Sequence, residues 1–257
     1  MGIFRFKHFS VVDDLSAMKV NTDGVLLGAV APILPSDREV LDIGTGTGTV
    51  ALMLAQRYAA LEPGRGEVLP GGDCPSPGQA GMPQRITGID IDAPSAREAE
   101  ANFTASPWSG SLSAVNCDLK DYSPTGKQDL IVSNPPFYDE SLKNPDSRLS
   151  EARHSVSLSY REILAFAEGH LASGGRLSMV LPSDTEHALM REARSRGLFV
   201  SSILRVRTTP RKTPLRIVTT FTSVRCSNPE DMVLTIQDGG EYTDEYLALM
   251  HDFYLFA

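Results

Sequence analysis

The stretch VLDIGTGTGTV at residues 40–50 constrains the fold more than any other part of this chain. An apolar run long enough for one buried strand breaks into glycines at alternate positions, Gly44, Gly46 and Gly48, and an apolar helical pattern follows at once. Glycines at such a turn let the backbone take positive φ and come close to a ligand. The strand-then-helix rhythm repeats downstream. EVLDIG, RITGID, SLSAVNC, DLIVSN and RLSMVLP read as strands, with TVALMLAQRYAAL and APSAREAEANFTA as helices among them. This alternation predicts a mostly parallel sheet with helices on both faces, and ligands bind outside the carboxyl ends of the strands in such sheets.

Two later helices carry start signals. SYRE, beginning at Ser159, and SDTE, beginning at Ser183, each place a glutamate three residues after a serine, the pattern of a capping box. Gly174 and Gly175 are expected to close the first helix and Gly197 the second. LFVSSILRVR and LRIVTTFTSVR predict an antiparallel pair at one sheet edge, followed by a hairpin-like MVLTIQDGGEYT and a final helix near residues 244–254. Residues 62–84 contain 11 Gly or Pro in 23 positions and are expected to form a surface excursion without regular structure. The chain is otherwise expected to be a single domain of 257 residues, with a lead over 1–38 and an extension over 226–257.

The three cysteines, Cys74, Cys117 and Cys226, are scattered and form no CxxC pair, which argues against a disulfide framework or a zinc site and fits a reducing cytoplasm. No apolar run reaches the length of a membrane span, so no membrane partner is expected, and with the cysteines scattered no metal is expected. The net charge of −8 hides a strong asymmetry: residues 191–225 carry +8 and residues 226–257 carry −7. Within the basic part, RVRTTPRKTPLR presents Arg205, Arg207, Arg211, Lys212 and Arg216 without an acid. A concentrated stripe of this kind can bind a polyanion, or can be an ordinary solvated face.

Acids stand at the ends of successive strand patterns. Asp42 precedes the glycine loop, where a carboxylate repels a pyrophosphate but suits a cofactor with a cationic end. Thr49 also stands where the dinucleotide fingerprint wants its third glycine. S-adenosylmethionine, with an ammonium, a sulfonium and no phosphate, fits better than a nicotinamide dinucleotide. Asp90 is placed to accept from ribose hydroxyls and Asp118 from an adenine amino group. The fourth strand pattern ends in NPPF. Asn134 and Pro135 offer a side-chain and a backbone carbonyl, stiffened by Pro135 and Pro136, that can grip the two N–H bonds of an amine in line with an activated methyl. Phe137 offers a stacking face.

In this order, DIGTGTG, GIDID, CDLKDY and NPPF resemble the amino-methylating class I methyltransferases of the N/D-P-P-Y/F/W type. The flanks FRFKHFSVVDDLSAMKVNTDGVLLGA, EARHSVSLSYREIL and GEYTDEYLALMHDFYL narrow the resemblance to the bacterial tRNA1(Val) adenine-N6 methyltransferases, along nearly the whole chain. The 62–84 excursion is the main departure. The resemblance implies a Rossmann-like α/β domain with a mostly parallel seven-stranded sheet, an antiparallel edge strand and helices on both faces. It implies methyl transfer from S-adenosylmethionine to adenine N6 beside the anticodon of a valine tRNA; a monomer is expected. It also implies that Lys19 and Thr22 lie in a segment closing over the cofactor, and that Arg153 and His154 can reach the RNA or the flipped nucleotide. Methylation of another RNA amine or of a protein glutamine amide, a non-catalytic cofactor- or RNA-binding module, and a nicotinamide oxidoreductase are the alternatives.

Overall fold

The computed structural model describes residues 2–61, 83, 85–136 and 158–257. A short antiparallel pair, β1 (Ile3–Arg5) and β2 (Ser10–Val12), precedes helix α1 (Thr22–Val30). The alternating part follows as β3 (Glu39–Ile43), α2 (Thr49–Ala59), β4 (Arg85–Asp90), α3 (Ala93–Thr104), β5 (Leu112–Asn116) and β6 (Gln128–Ser133). Next come α4 (Tyr160–His170), β7 (Leu171–Pro182), α5 (Glu186–Ser195), β8 (Phe199–Arg207), β9 (Arg216–Thr222) and β10 (Glu230–Thr235). A two-residue hairpin, β11 (Gln237–Asp238) with β12 (Glu241–Tyr242), and helix α6 (Asp244–Met250) end the chain.

Among the described residues the main sheet has eight strands in the order β10-β8-β9-β7-β6-β3-β4-β5. All neighbours are parallel except the two pairs that involve β9. The sheet therefore departs from the expected seven strands with an antiparallel strand at the edge. β9 inserts between β7 and β8, and β10 adds an eighth strand outside β8. Acidic β10 lies beside basic β8, and the Arg205 guanidinium meets Asp231 at 3.0 Å. The segment read as one hairpin is thus divided, its first half pairing with β8 and its second half forming β11–β12.

The strand pleat sorts the core. Val40, Leu130, Val132, Val180 and Val218 face one hydrophobic cluster with α1 and α2. Leu41, Ile131, Leu177, Met179 and Ile217 face another with α4 and α5. A one-residue slip in any of these strands would exchange the two sets, which is why their register is firm. Ser159 and Glu162 form the expected capping box on α4. SDTE does not form one: Ser183 opens a 3-10 turn, its hydroxyl donates to the Pro214 carbonyl at 2.6 Å, and α5 begins only at Glu186. Gly197, at φ 71°, closes α5 in a Schellman arrangement, with Leu198 N–H donating to Ala193 O at 2.9 Å. α4 ends earlier than expected, at His170, and Gly174 falls in an irregular stretch at the start of β7.

Candidate active site

β3 and β6 are neighbours where the strand order reverses, and a cavity of about 730 Å³ opens at their carboxyl ends. The glycine loop after β3 forms its floor. Gly44 and Thr45 N–H both donate to Ile89 O, at 2.9 and 3.0 Å, and Gly46 N–H donates to Asp90 Oδ2 at 2.9 Å. Gly48 sits at φ 81°, and a Cβ there would lie 2.4 Å from the Phe103 ring, so both conformation and packing demand glycine. Its neighbours Gly44 and Gly46 line the cavity, whereas Gly48 stands at the α2 N-cap behind the loop.

Asp42 lies beneath this floor and is not among the residues lining the cavity. It accepts the Thr45 hydroxyl at 2.7 Å, and burial pushes its pKa up from 3.8 to about 7, against the lowering effect of that hydrogen bond. Asp90 does line the cavity. Its carboxylate accepts Gly46 N–H and, through Oδ1, Asp92 N–H at 2.9 Å, and burial raises its pKa too. Asp118 lines the cavity beyond β5 and is held by Lys120 N–H on Oδ1 at 3.0 Å. The Lys120 ammonium meets Glu162 at 3.0 Å, and both residues line the cavity.

Asn134, the first residue beyond β6, lines the cavity with Pro136, while Pro135 is buried behind. Its amide nitrogen donates to Asn21 Oδ1 at 3.4 Å and points to Met18 Sδ at 3.7 Å. Its oxygen is buried without a hydrogen-bond partner among the described residues.

The remaining wall is the N-terminal segment from Ser16 to Asn21. Helix α3 pins it with two side chains one turn apart. The Glu98 carboxylate accepts the N–H groups of Asp14, Leu15 and Ser16 at 2.6, 2.7 and 2.8 Å. Asn102 takes Val12 N–H and donates to the carbonyls of Val12 and Thr47, each at 2.9 Å. Lys19 lines the cavity, and its ammonium donates to the Asp13 carbonyl. Thr22 is exposed at the start of α1, outside the lining, and the helix cap is Asn21. The structure therefore gathers Lys19, Gly44, Gly46, Asp90, Asp118, Asn134 and Pro136 around one cavity. Phe137, Arg153 and His154 lie outside the described residues.

The RMKL-like methyltransferase domain model matches residues 37–203. A tRNA1(Val) (adenine(37)-N6)-methyltransferase of Bacteroides fragilis is 40% identical over 255 residues, covering 98% of this chain and 97% of its own. Its namesake in Bacteroides thetaiotaomicron is 38% identical over 252 residues, again covering 98% and 97%. This chain belongs to their family. The solved structure of a predicted O-methyltransferase from Agrobacterium tumefaciens has a TM-score of 0.60 at 15% identity, covering 90% of this chain and 96% of its own, and shares the Rossmann-like fold.

The basic residues of this methyltransferase are not equivalent. Arg205 is held by Glu186 and Asp231, and Arg216 reaches Asp23 of α1 at 2.8 Å. Arg207 donates to Thr235 and to the Pro210 carbonyl. Arg211 and Lys212 are exposed in the β8–β9 loop and make no ion pair among the described residues. That loop stands on the carboxyl edge of the sheet, as the cavity does. Among the described residues no helix is long and apolar enough to cross a membrane, and no group of three metal-ligating side chains occurs.

Sequence reasoning missed Asn21, Met18, Glu98 and Asn102. Asn21 had a local signal, a cap residue just before an apolar helix. Glu98 and Asn102 are polar residues on the buried face of α3, a violation of the apolar stripe that marks a partner to be found.

Proposed function

We propose that this chain transfers a methyl group from S-adenosylmethionine to the exocyclic N6 amine of adenine 37 in tRNA1(Val), the reaction its relatives are named for. The observation that carries this reading is the unpartnered Asn134 oxygen at the cavity. A buried amide oxygen left without a donor costs on the order of 1–3 kcal/mol, so a donor arriving with the substrate relieves that cost.

The residues present fit the cofactor. Gly44 and Gly46 leave backbone without side chains along the floor, and Asp90 and Asp118 offer carboxylates for ribose hydroxyls and an adenine amino group. Asp90 and Asp118 as carboxylates also suit a cationic ligand, while Asp42, buried beneath, supports the loop by accepting the Thr45 hydroxyl. Bound there, S-adenosylmethionine supplies an electrophilic methyl on a sulfonium. Asn134 Oδ1 and the Pro135 carbonyl each accept one N–H of the target amine, which draws its lone pair out of conjugation and aims it. The proton leaves after transfer, so no strong base is required. Pro135 and Pro136 keep both acceptors in place before the substrate arrives. Phe137 stacks on the extruded base. Arg211 and Lys212 track tRNA phosphates, and Arg207 stands at the base of their loop.

The test uses radiolabelled cofactor with total tRNA from a host lacking this gene, followed by digestion to nucleosides. Label is expected in N6-methyladenosine, and Asn134→Ala is expected to lower turnover by about 100-fold while cofactor binding survives. Label in guanosine, or full turnover by Asn134→Ala, refutes the reading.

A further inference from the structure

We propose that Asn21, the cap of α1, is a positioning residue that selects which end of the Asn134 amide faces the target amine. The inference rests on the proposed role of Asn134 and adds to it.

An asparagine amide can sit in two orientations of nearly identical shape, one presenting oxygen and the other NH2. Only the first can accept from an amine. Nothing in the backbone of a strand end distinguishes them, so the choice falls to the neighbours. Asn21 is itself fixed: its Oδ1 accepts Gly24 N–H at 2.9 Å as the helix cap, and its Nδ2 donates to the Lys19 carbonyl at 3.0 Å. With its own oxygen held towards α1, it shows Asn134 an acceptor, at 3.4 Å. Met18 Sδ, at 3.7 Å from the same Asn134 nitrogen, is a second acceptor with no proton to give. Turning the Asn134 amide over would set its oxygen against two acceptors and leave both of its N–H groups unmade. The observed orientation instead uses the nitrogen inside the protein and leaves the oxygen without a partner among the described residues.

The orientation is anchored beyond the site as well. Asp23, two residues after Asn21, is held by Arg216 at 2.8 Å, tying the start of α1 to β9. The helix cap thus serves two ends. It satisfies an orphan N–H of α1, and through the second lone pair of the same oxygen it fixes the amide just beyond β6.

The two duties can be separated. Serine caps a helix about as well as asparagine but is too short to reach Asn134, whereas aspartate both caps and presents an acceptor. Asn21→Ser is expected to lower kcat about tenfold, with the KM for S-adenosylmethionine within about twofold of the parent and the melting temperature little changed. Asn21→Asp is expected to recover most of that turnover. Met18→Leu, which leaves the cap untouched, is expected to lower kcat about threefold without a change in KM, and it decides the matter should Asn21→Ser fail to fold. Parental kcat in Asn21→Ser, a loss in KM alone, equal losses in Asn21→Ser and Asn21→Asp, or parental kcat in Met18→Leu where it must decide, overturns the proposal. Asn134→Ala is run alongside. Full turnover in that variant defeats the underlying role of Asn134, whereas its collapse beside an active Asn21→Ser defeats only the orienting role.

Discussion

Asp42→Asn probes the buried carboxyl beneath the glycine loop through the pH dependence of folding. Burial raises the Asp42 pKa from 3.8 to about 7, the Thr45 hydroxyl only partly opposing it. The unfolded chain gives up this proton near its ordinary value, while the folded protein holds it to about neutrality. Between those two values the folded state binds more protons, so stability falls as pH rises. The contribution is intact below about pH 4 and lost by about pH 7. A shift of three pKa units at about 1.4 kcal/mol each gives a loss of about 4 kcal/mol. Asparagine has nearly the same shape and can still accept from Thr45, but it does not ionise. Urea denaturation of both proteins without ligand, from pH 4 to pH 8, should show the variant gaining about 1.4 kcal/mol per pH unit relative to the parent and then levelling off near neutrality. Parallel stability curves for the two proteins would refute the buried, protonated state of Asp42.

Gly48→Ala must accommodate both a left-handed backbone and the Phe103 ring, and should lose about 2 kcal/mol or more of stability in denaturant unfolding. Combining it with Phe103→Leu should recover only the steric share; full recovery would show that φ costs nothing there. Glu98→Gln replaces one acceptor oxygen by a donor that faces Ser16 N–H, or the N–H groups of Asp14 and Leu15, and should cost about 2 kcal/mol while weakening cofactor binding. Unchanged affinity by titration calorimetry would detach the N-terminal wall from the cofactor. Replacing Arg211 and Lys212 with alanine should reduce the slope of log K for tRNA against log salt by about 1.5. An unaltered slope would remove both from the RNA interface.

The order of strands and helices from β3 through β7 was legible because its signals are local. Each strand core alternates its apolar residues between two faces, and each cap lies within a few residues of the helix it starts. The candidate site was legible for a related reason: in a parallel sheet, successive strand ends share one edge. Gly44, Asp90, Asp118 and Asn134 therefore had to converge once their strands were recognised. The SDTE signal misled because the Ser183 hydroxyl found a closer partner in Pro214, 31 residues away, than in its own helix. The basic stripe misled in part because charge counted along the chain does not show pairing across strands, and Arg205 is engaged by Glu186 and Asp231.

By itself the sequence determined the parallel β/α alternation, the glycine turn and the chemistry carried to each strand end, since these follow from side-chain period and backbone conformational limits. Tertiary structure decided that β9 enters between β7 and β8, that Asp42 lies under the floor and that the Asn134 oxygen is left without a partner among the described residues. Each of those outcomes depends on a neighbour distant in sequence. Burial, pairing and amide orientation are properties of the surroundings in space, and no stretch of chain carries its surroundings with it.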